Sequence, residues 1–331
     1  MRRLEGGERK PQLVCRLHGT GGSGKSTVIN MVKAYARDYC KELNHPFTNR
    51  TIVVTAWSGV AATLLNGETT SSVLGLMRGG ITEEEKDVFA DCRLIIVDEV
   101  SFLSPVNFAE MWTNIGLLMR KTFAKYGGTN ILFAGDYSQL EPIKCDTVYA
   151  GGKRHPEFHD VLNCYIELDG THRFKDDVQW GEKLRRFRDG EPTIQDVCKI
   201  NDCCDAANRN IPEGTQIATF TNVMRDAVNS GIFEDFCKAN KPEDGSVLKS
   251  AVVVLMDELK MQNGNKKMIY VRSNGMRRHF YEHCGENDCR EGTKQNPKTR
   301  VEPMLKLYPE CPMMLTKNTD VPNGEANGSR I

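Results

Sequence analysis

The sequence predicts an α/β fold in which helices cover both faces of a parallel β-sheet. Four short apolar stretches are predicted strands: residues 13–17, 51–55, 93–97 and 130–134. Segments with helical spacing alternate with them, and a glycine-rich turn follows the first strand. Because these strands are apolar throughout rather than alternating, both faces of the sheet must be buried, which is typical of parallel sheets.

Two helices are predicted in most detail. The first begins at Lys25, directly after the glycine-rich turn. Its predicted buried face consists of Val28, Val32, Tyr35 and Tyr39. The second covers Asp176–Asp189, with acidic residues in its first turn, basic residues in its last turn, and Gly190 after its end.

The length of 331 residues predicts two domains, because a domain typically has about 100–200 residues. We expect residues 1–195 to form the first domain and 196–331 the second. The second carries a polar, basic insertion around 257–300. Its predicted strands are weaker and lie at 216–220, 251–256, 268–272 and 312–316.

Composition narrows the class of protein. Lys plus Arg and Asp plus Glu are both 44, so net charge alone does not indicate a nucleic-acid partner. No apolar run is long enough to cross a bilayer, and no secretory signal is evident, so we expect an intracellular protein without a membrane partner. The 12 cysteines are scattered, which favours reduced thiols. A zinc site stays open as an alternative for two clusters: Cys198, Cys203 and Cys204, and His279, His283, Cys284 and Cys289.

The strongest motif is GTGGSGKST, which lies between the first predicted strand and the helix at Lys25. It matches the phosphate-binding P-loop pattern, whose glycines let backbone N–H groups point into one concavity. Lys25 is expected to reach the β- and γ-phosphates of ATP, and the Ser26 hydroxyl to bind Mg²⁺. The predicted nucleotide-binding residues are Gly19, Thr20, Gly21, Gly22, Ser23, Gly24, Lys25, Ser26 and Thr27.

Polar residues also end two later strands. RLIIVDEVS places Asp98 and Glu99 at the end of one, where Asp98 is expected to hold Mg²⁺ and Glu99 to deprotonate the attacking water. FAGDYSQLEPI places Asp136 and Gln139 after the next, where either could sense the γ-phosphate or the water.

These segments together resemble superfamily 1 DNA helicases that move 5′→3′, and more narrowly the PIF-type helicases related to RecD. DEVS and GDYSQLEP carry the resemblance, with TAWSGVAATLLNGETTSS, LDGTHRF, ATFTNVMRDAVN and LTKNTDVPNGEANGSR in family order. The resemblance implies a P-loop NTPase with one RecA-like domain and a second, incomplete one. It also implies ATP as substrate, Mg²⁺ as cofactor and single-stranded or forked DNA as partner, with the oligomeric state left open.

The resemblance also implies roles for single residues. Gln139 would couple the γ-phosphate to motion, and Arg173 would be the arginine finger, which makes Lys25, Glu99, Gln139 and Arg173 the expected catalytic set. The expected DNA contacts are Trp57, Ser58, Gly59, Thr70 and Asn222. DNA repair, recombination or telomere maintenance, and a nuclear rather than a mitochondrial location, are further implications of the family.

Departures from the family keep other functions open. Ser71 stands where a DNA-contacting His is expected, and Gln12 lies too close to the P-loop to read adenine. We expect the chain to be truncated at both ends relative to the family. The alternative is therefore a motor-inactive nucleotide- or DNA-binding fragment, derived for example from a mobile element. A small-molecule phosphotransferase is a third hypothesis.

Overall fold

The computed structural model describes residues 11–142, 145–149, 156–170, 172–204, 215–240, 251–254, 257–260, 266–269, 304–316 and 318–330. The chain divides into two compact units. One comprises Met1–Asn208 and Lys317–Ser329, and the other Arg209–Thr316 and Arg330–Ile331. The sequence-based division after residue 195 stays a prediction.

A six-stranded parallel sheet forms the first unit, with strand order β3-β2-β4-β5-β1-β6. The four predicted strands are present, and the structure adds the edge strands β3 and β6. The bounds are β1 (Val14–Gly19), β2 (Ile52–Ala56), β3 (Glu68–Thr69), β4 (Leu94–Asp98), β5 (Asn130–Gly135) and β6 (Cys164–Leu168). This confirms the predicted parallel α/β sheet.

Helices surround this sheet, and several begin at a residue whose side chain caps them, such as Ser104 and Asp177. The helix predicted over Asp176–Asp189 is confirmed over Val178–Asp189, and Gly190 ends it in the left-handed conformation with φ 75°. The acidic residues expected in its first turn are not there, because the helix begins after them and Asp177 is its N-cap. The helices of this unit are α1 (Lys25–Glu42), α2 (Gly59–Leu64), α3 (Thr70–Val73), α4 (Glu83–Val88), α5 (Pro105–Leu118), α6 (Pro156–His159), α7 (Val178–Asp189) and α8 (Ile194–Cys204).

The predicted buried face of α1 is wrong in part. Its fully buried residues are Ile29, Ala36 and Cys40, with Val28 and Val32 partly buried beside them. Tyr35 is 68% exposed. The face is rotated because the small Ala36 lets the helix approach the sheet, while the phenol of Tyr35 stacks on Tyr39 at the surface.

Two cores lie on opposite faces of the sheet. Leu17, Ile96 and Leu132 belong to the core on the α1 side. The core on the α5 side is aromatic: Phe133 lies 5.3–6.0 Å, between ring centroids, from Phe108, Tyr126 and Phe158. These cores hold the strands in one register.

The second unit contains α9 (Asn222–Ala239), capped by Thr221, and four short strands. β7 (Ala251–Val254) pairs antiparallel with β10 (Met304–Leu307), and β8 (Asp257–Lys260) with β9 (Lys266–Ile269). The predicted strand at 251–256 is confirmed over its described part, and that at 268–272 begins earlier, at Lys266. The predicted strands at 216–220 and 312–316 are wrong: the first is irregular, and the second contains only an isolated bridge at Met314. Neither segment has a partner strand among the described residues. An apolar stretch does not form a β-strand unless another strand pairs with it.

Residues 318–329 return to the first unit and pack on α2. The Thr63 hydroxyl donates to the Val321 carbonyl at 3.1 Å. A Cβ on Gly59 would lie 2.5 Å from Asn318 Oδ1 and 2.9 Å from the Ala326 Cβ, so only glycine permits this approach. The segment therefore belongs structurally to the first unit.

An ion pair joins α7 to α8. The Arg186 guanidinium donates two hydrogen bonds of 2.7 Å to Asp196, whose carboxylate also accepts from the Thr193 backbone N–H at 3.0 Å. The Arg186 guanidinium lowers the pKa of Asp196; burial opposes this, and Thr193 adds to it. The carboxylate therefore stabilises the fold as long as it stays ionised.

We expect Asp196→Asn to lower the free energy of unfolding at pH 7. The pKa of Asp196 is depressed in the folded state, so its contribution is present above the unfolded-state pKa of about 3.9 and is lost as the pH falls through the lower folded-state value. Urea unfolding of both proteins between pH 7 and 3 should show the difference narrowing below about pH 4. Asp38→Asn, at an exposed site on α1, is the control. A difference independent of pH would contradict the assignment.

Phe133→Ala should destabilise the first unit by about 3–5 kcal/mol, because it removes a fully buried ring and leaves a cavity among three aromatic neighbours. Phe123→Ala is the matched control, since the Phe123 side chain is fully exposed, and a change within about 0.5 kcal/mol is expected. Urea unfolding followed by circular dichroism measures both. Equal effects would refute the placement of the aromatic core.

Candidate nucleotide-binding site

The turn between β1 and α1 is shaped by glycines at positions that exclude a side chain. Gly22 and Gly24 have φ values of 89° and 97°, in the left-handed region. A Cβ on Gly19 would lie 2.2 Å from Ser23 Oγ. The Ser23 backbone N–H donates to the Thr20 carbonyl at 3.1 Å, which closes the turn.

The amino-terminal end of α1 has no side-chain cap, because its N-cap residue is Gly24. Its first N–H groups are thus available to a ligand. Together with the positive end of the helix dipole, they form an anion site of the kind that binds phosphates. Ser26 and Thr27, in the first turn, are exposed at this end.

Lys25 lies across the turn. Its Nζ donates to the Gly19 carbonyl at 2.6 Å and to the Thr20 carbonyl at 3.1 Å. Burial lowers its pKa, and the carboxylates of Asp98, Asp136 and Glu99 oppose this shift. The ammonium group is therefore held by carbonyls that a phosphate oxygen could replace.

Two carboxylates face Lys25 from the end of β4. Asp98 is 6% exposed, and Glu99 follows it in the left-handed conformation with φ 55°, which is strained for a residue with a side chain. Burial raises the pKa of both, and the neighbouring Asp98 raises that of Glu99 further. Asp98 Oδ1 and Glu99 Oε2 have no hydrogen-bond partner among the described residues. Buried oxygens without partners are what a cation or a water would occupy.

These oxygens, with the Ser26 hydroxyl, suit Mg²⁺, which prefers oxygen ligands and is usually held by one or two protein groups plus phosphates. Within the described ranges, no three His, Cys, Asp or Glu side chains form a metal cluster. Of the zinc alternative, Cys198 is an exposed free thiol, while the side chains of Cys203 and Cys204 and the whole His279–Cys289 cluster lie outside the described residues.

Gln139 and Arg173 reach the turn from two other segments. A Cβ on Gly21 would lie 3.5 Å from Gln139 Nε2 and 3.4 Å from Arg173 Nη1. The His172 backbone N–H donates to the Gly22 carbonyl at 2.9 Å and fixes the segment of Arg173 against the turn. The structure thus brings the four residues expected to be catalytic to one place.

The residues expected to contact DNA are placed differently from one another. Trp57 is half-buried against the α5-side core, and the Ser58 hydroxyl caps α2. Gly59 is buried under residues 318–329. The Thr70 hydroxyl is buried and donates to Thr55 Oγ1 at 3.2 Å. Asn222 begins α9 in the second unit, and its side chain is outside the described residues.

Sequence reasoning missed Arg188 and did not anticipate the use of Gln12. Arg188 is one of the basic residues in the last turn of α7, where the sequence predicts only an interaction with the helix dipole, and in the structure it pairs with Asp136 at 3.0 Å. The Gln12 amide donates to the carbonyls of Lys125, at 2.9 Å, and Thr129. These hydrogen bonds hold the Gln12 side chain at the start of β1, at the end of the strand opposite the turn. That Gln12 does not read adenine stays a prediction.

A profile of the AAA domain family matches residues 8–203. The chain belongs to the AAA domain family. Its curated relatives include ATP-dependent DNA helicase PIF1 of Saccharomyces cerevisiae, 27% identical over 190 residues. Uncharacterized protein 030L of Invertebrate iridescent virus 6 is 31% identical over 153 residues. The predicted resemblance to PIF-type superfamily 1 helicases is thereby confirmed.

The matched regions are part of longer proteins. They cover 52% of this chain and 21% of the yeast helicase, and 42% of this chain and 26% of the viral protein. The chain therefore spans well under two thirds of the length of these relatives.

Solved structures share the fold. Pif1 helicase from Candida albicans has a TM-score of 0.62 and 18% identity, covering 96% of this chain and 64% of that one. Bacteroides Pif1 bound to ssDNA has a TM-score of 0.55 and 16% identity, covering 96% and 65%. These likenesses confirm the α/β RecA-like fold. No described helix has the length and apolar character needed to span a membrane.

Gly22→Ala should weaken binding of a fluorescent ATP analogue about tenfold or more. The added Cβ would lie 2.5 Å from the Arg173 Cβ, and φ 89° strains an L-residue by about 1–3 kcal/mol. Gly231→Ala, in α9 with open space around the added Cβ, is the control and should leave affinity unchanged. Fluorescence titration measures both. Unchanged affinity in Gly22→Ala would contradict the proposed use of this turn.

Proposed function

We propose that the chain is an ATP-dependent 5′→3′ DNA helicase core, which couples Mg²⁺–ATP hydrolysis to movement on single-stranded DNA. The observation that supports this best is the convergence of five side chains on the uncapped start of α1. They are Lys25, Asp98, Glu99, Gln139 and Arg173. They come from four separate segments of the chain, and together they supply the charges that phosphoryl transfer to water requires.

ATP is bound through its phosphates in this proposal. The backbone N–H groups of the turn and the start of α1 bind phosphate oxygens, and Lys25 exchanges its carbonyl partners for the β- and γ-phosphates. Ser26 and Asp98 hold Mg²⁺, which when bound neutralises charge developing on the phosphates.

Hydrolysis needs a base beside the γ-phosphate, and Glu99 fits that role. Its raised pKa makes it a better proton acceptor than an exposed carboxylate. As the water oxygen forms its bond to the γ-phosphorus, Glu99 takes the water proton, and the bond from phosphorus to the β,γ-bridging oxygen breaks. Arg173 stabilises the charge that develops, and Gln139 senses the γ-phosphate.

Single-stranded or forked DNA is the proposed partner, bound by charge and base stacking rather than by sequence. In the first unit the exposed Ser58 and the half-buried Trp57, in the segment after β2, are the proposed DNA contacts. Gly59 and Thr70 are buried, so in this proposal they support that segment from beneath rather than touch DNA. Asn222, in the second unit, is proposed as a separate contact. Support comes from the family and from a similar protein solved with ssDNA. Roles in DNA repair, recombination or telomere maintenance, and a nuclear location, belong to the same proposal.

The test is steady-state ATP hydrolysis with Mg²⁺, with and without oligo(dT), in four proteins. We expect DNA to stimulate the wild type, and Lys25→Ala and Glu99→Gln each to lose about 10²-fold or more of that rate. Glu99→Gln should still bind ATP, because it removes a proton acceptor and keeps the P-loop. Lys41→Ala, exposed near the end of α1, is the matched control.

A stimulated rate that survives in Lys25→Ala would refute the proposed site. Nucleotide binding with hydrolysis that DNA does not change would favour the motor-inactive fragment instead. Hydrolysis that responds to a small phosphate acceptor and not to DNA would favour the phosphotransferase.

A further inference from the structure

The carboxylate of Asp136 anchors the segment that carries Gln139. Asp136 is 2% exposed, and its Oδ1 accepts from the Ser138 backbone N–H at 3.1 Å. Its Oδ2 accepts from Gln139 Nε2 at 3.4 Å. The position of the Gln139 amide therefore depends on where this buried carboxylate is held.

Arg188 holds it. Arg188 Nη2 donates to Asp136 Oδ1 at 3.0 Å and to Ser138 Oγ at 3.2 Å. Burial opposes ionisation of Asp136, but the Ser138 amide and the Arg188 guanidinium outweigh it, so the pKa lies below its ordinary value. This partly buried ion pair joins α7 to the Gln139 segment.

The same face of α7 also supports Arg173. Gly181 precedes Arg188 by seven residues, which places both on one side of the helix. A Cβ on Gly181 would lie 2.8 Å from the Phe174 Cβ, so α7 packs directly on the turn that presents Arg173. One rigid helix thus contacts both segments that flank Gly21.

We propose that α7 sets the placement of Gln139 and Arg173 against the P-loop, and that Arg188 is the positioning residue for Gln139. The inference rests on the proposed ATPase function. Arg188 acts through Asp136 rather than on the nucleotide, and its Nη2 donates to both Asp136 and Ser138. A lysine would keep the charge, but its side chain ends one bond short of the position of Nη2, so both contacts would be weakened.

The test measures kcat for ATP hydrolysis and the affinities for ADP and for the non-hydrolysable triphosphate AMP-PNP. We expect Arg188→Gln to lower kcat about 10–100-fold and to reduce the preference for AMP-PNP over ADP, with ADP affinity unchanged within about twofold. Arg188→Lys should be intermediate. Arg185→Gln, at an exposed site on the same helix, is the matched control.

Coupling to Gln139 is tested by the double variant. If Arg188 acts through Gln139, then Arg188→Gln combined with Gln139→Ala should be no slower than Gln139→Ala alone. Multiplied losses would overturn the inference, as would an equal loss of ADP and AMP-PNP affinity.

The same measurements distinguish failure of the proposed ATPase function from failure of the proposed role of Arg188. A wild-type chain that binds neither nucleotide would overturn both proposals. A wild type that hydrolyses ATP and is inactivated by Lys25→Ala, with Arg188→Gln behaving like wild type, would overturn only the role of Arg188.

Discussion

The register of the parallel sheet is the constraint on which the candidate site depends. Gly19 pairs with Leu168, His18 with Gly135, and Ala56 with Asp98. In this register the glycine turn, the two acidic residues and the Gln139 segment all emerge at the carboxyl-terminal edge. A slip of one residue would turn each strand's side chains to the opposite face and separate the groups. The two apolar cores, one on each face, prevent such a slip.

This register brings several ionisable side chains together in a site that is largely shielded from solvent. Lys25, Asp98 and Glu99 all have pKa values shifted toward the neutral form by burial. Desolvation of this kind is costly in the resting protein, and it is offset only in part by mutual attraction. A bound polyphosphate and cation would supply the missing partners. The strained left-handed backbone of Glu99 lies in the same site. Backbone strain of this kind lowers stability and is typically found at functional sites.

Much of the fold and of the candidate site was predictable from local sequence patterns. The glycine turn, the strand ends at Asp98 and Asp136, and the helix before Gly190 each follow from a few adjacent residues, because backbone freedom and strand burial are local properties. The exposed Tyr35 shows where local pattern fails. The helix α1 forms as predicted, but its packing against the sheet determines which of its sides is buried. The irregular segment at 216–220 is a second failure of local pattern, because an apolar stretch forms a β-strand only when it pairs with another strand.

The sequence by itself determined the fold class, the phosphate-binding turn and the identity of the acidic pair, because each is encoded within one short stretch. Only the tertiary structure decided that Arg188 meets Asp136 and that residues 318–329 cover Gly59. Those contacts join residues 52 and about 260 positions apart. No propensity or spacing rule reaches so far, because which distant surfaces meet depends on how the completed elements pack.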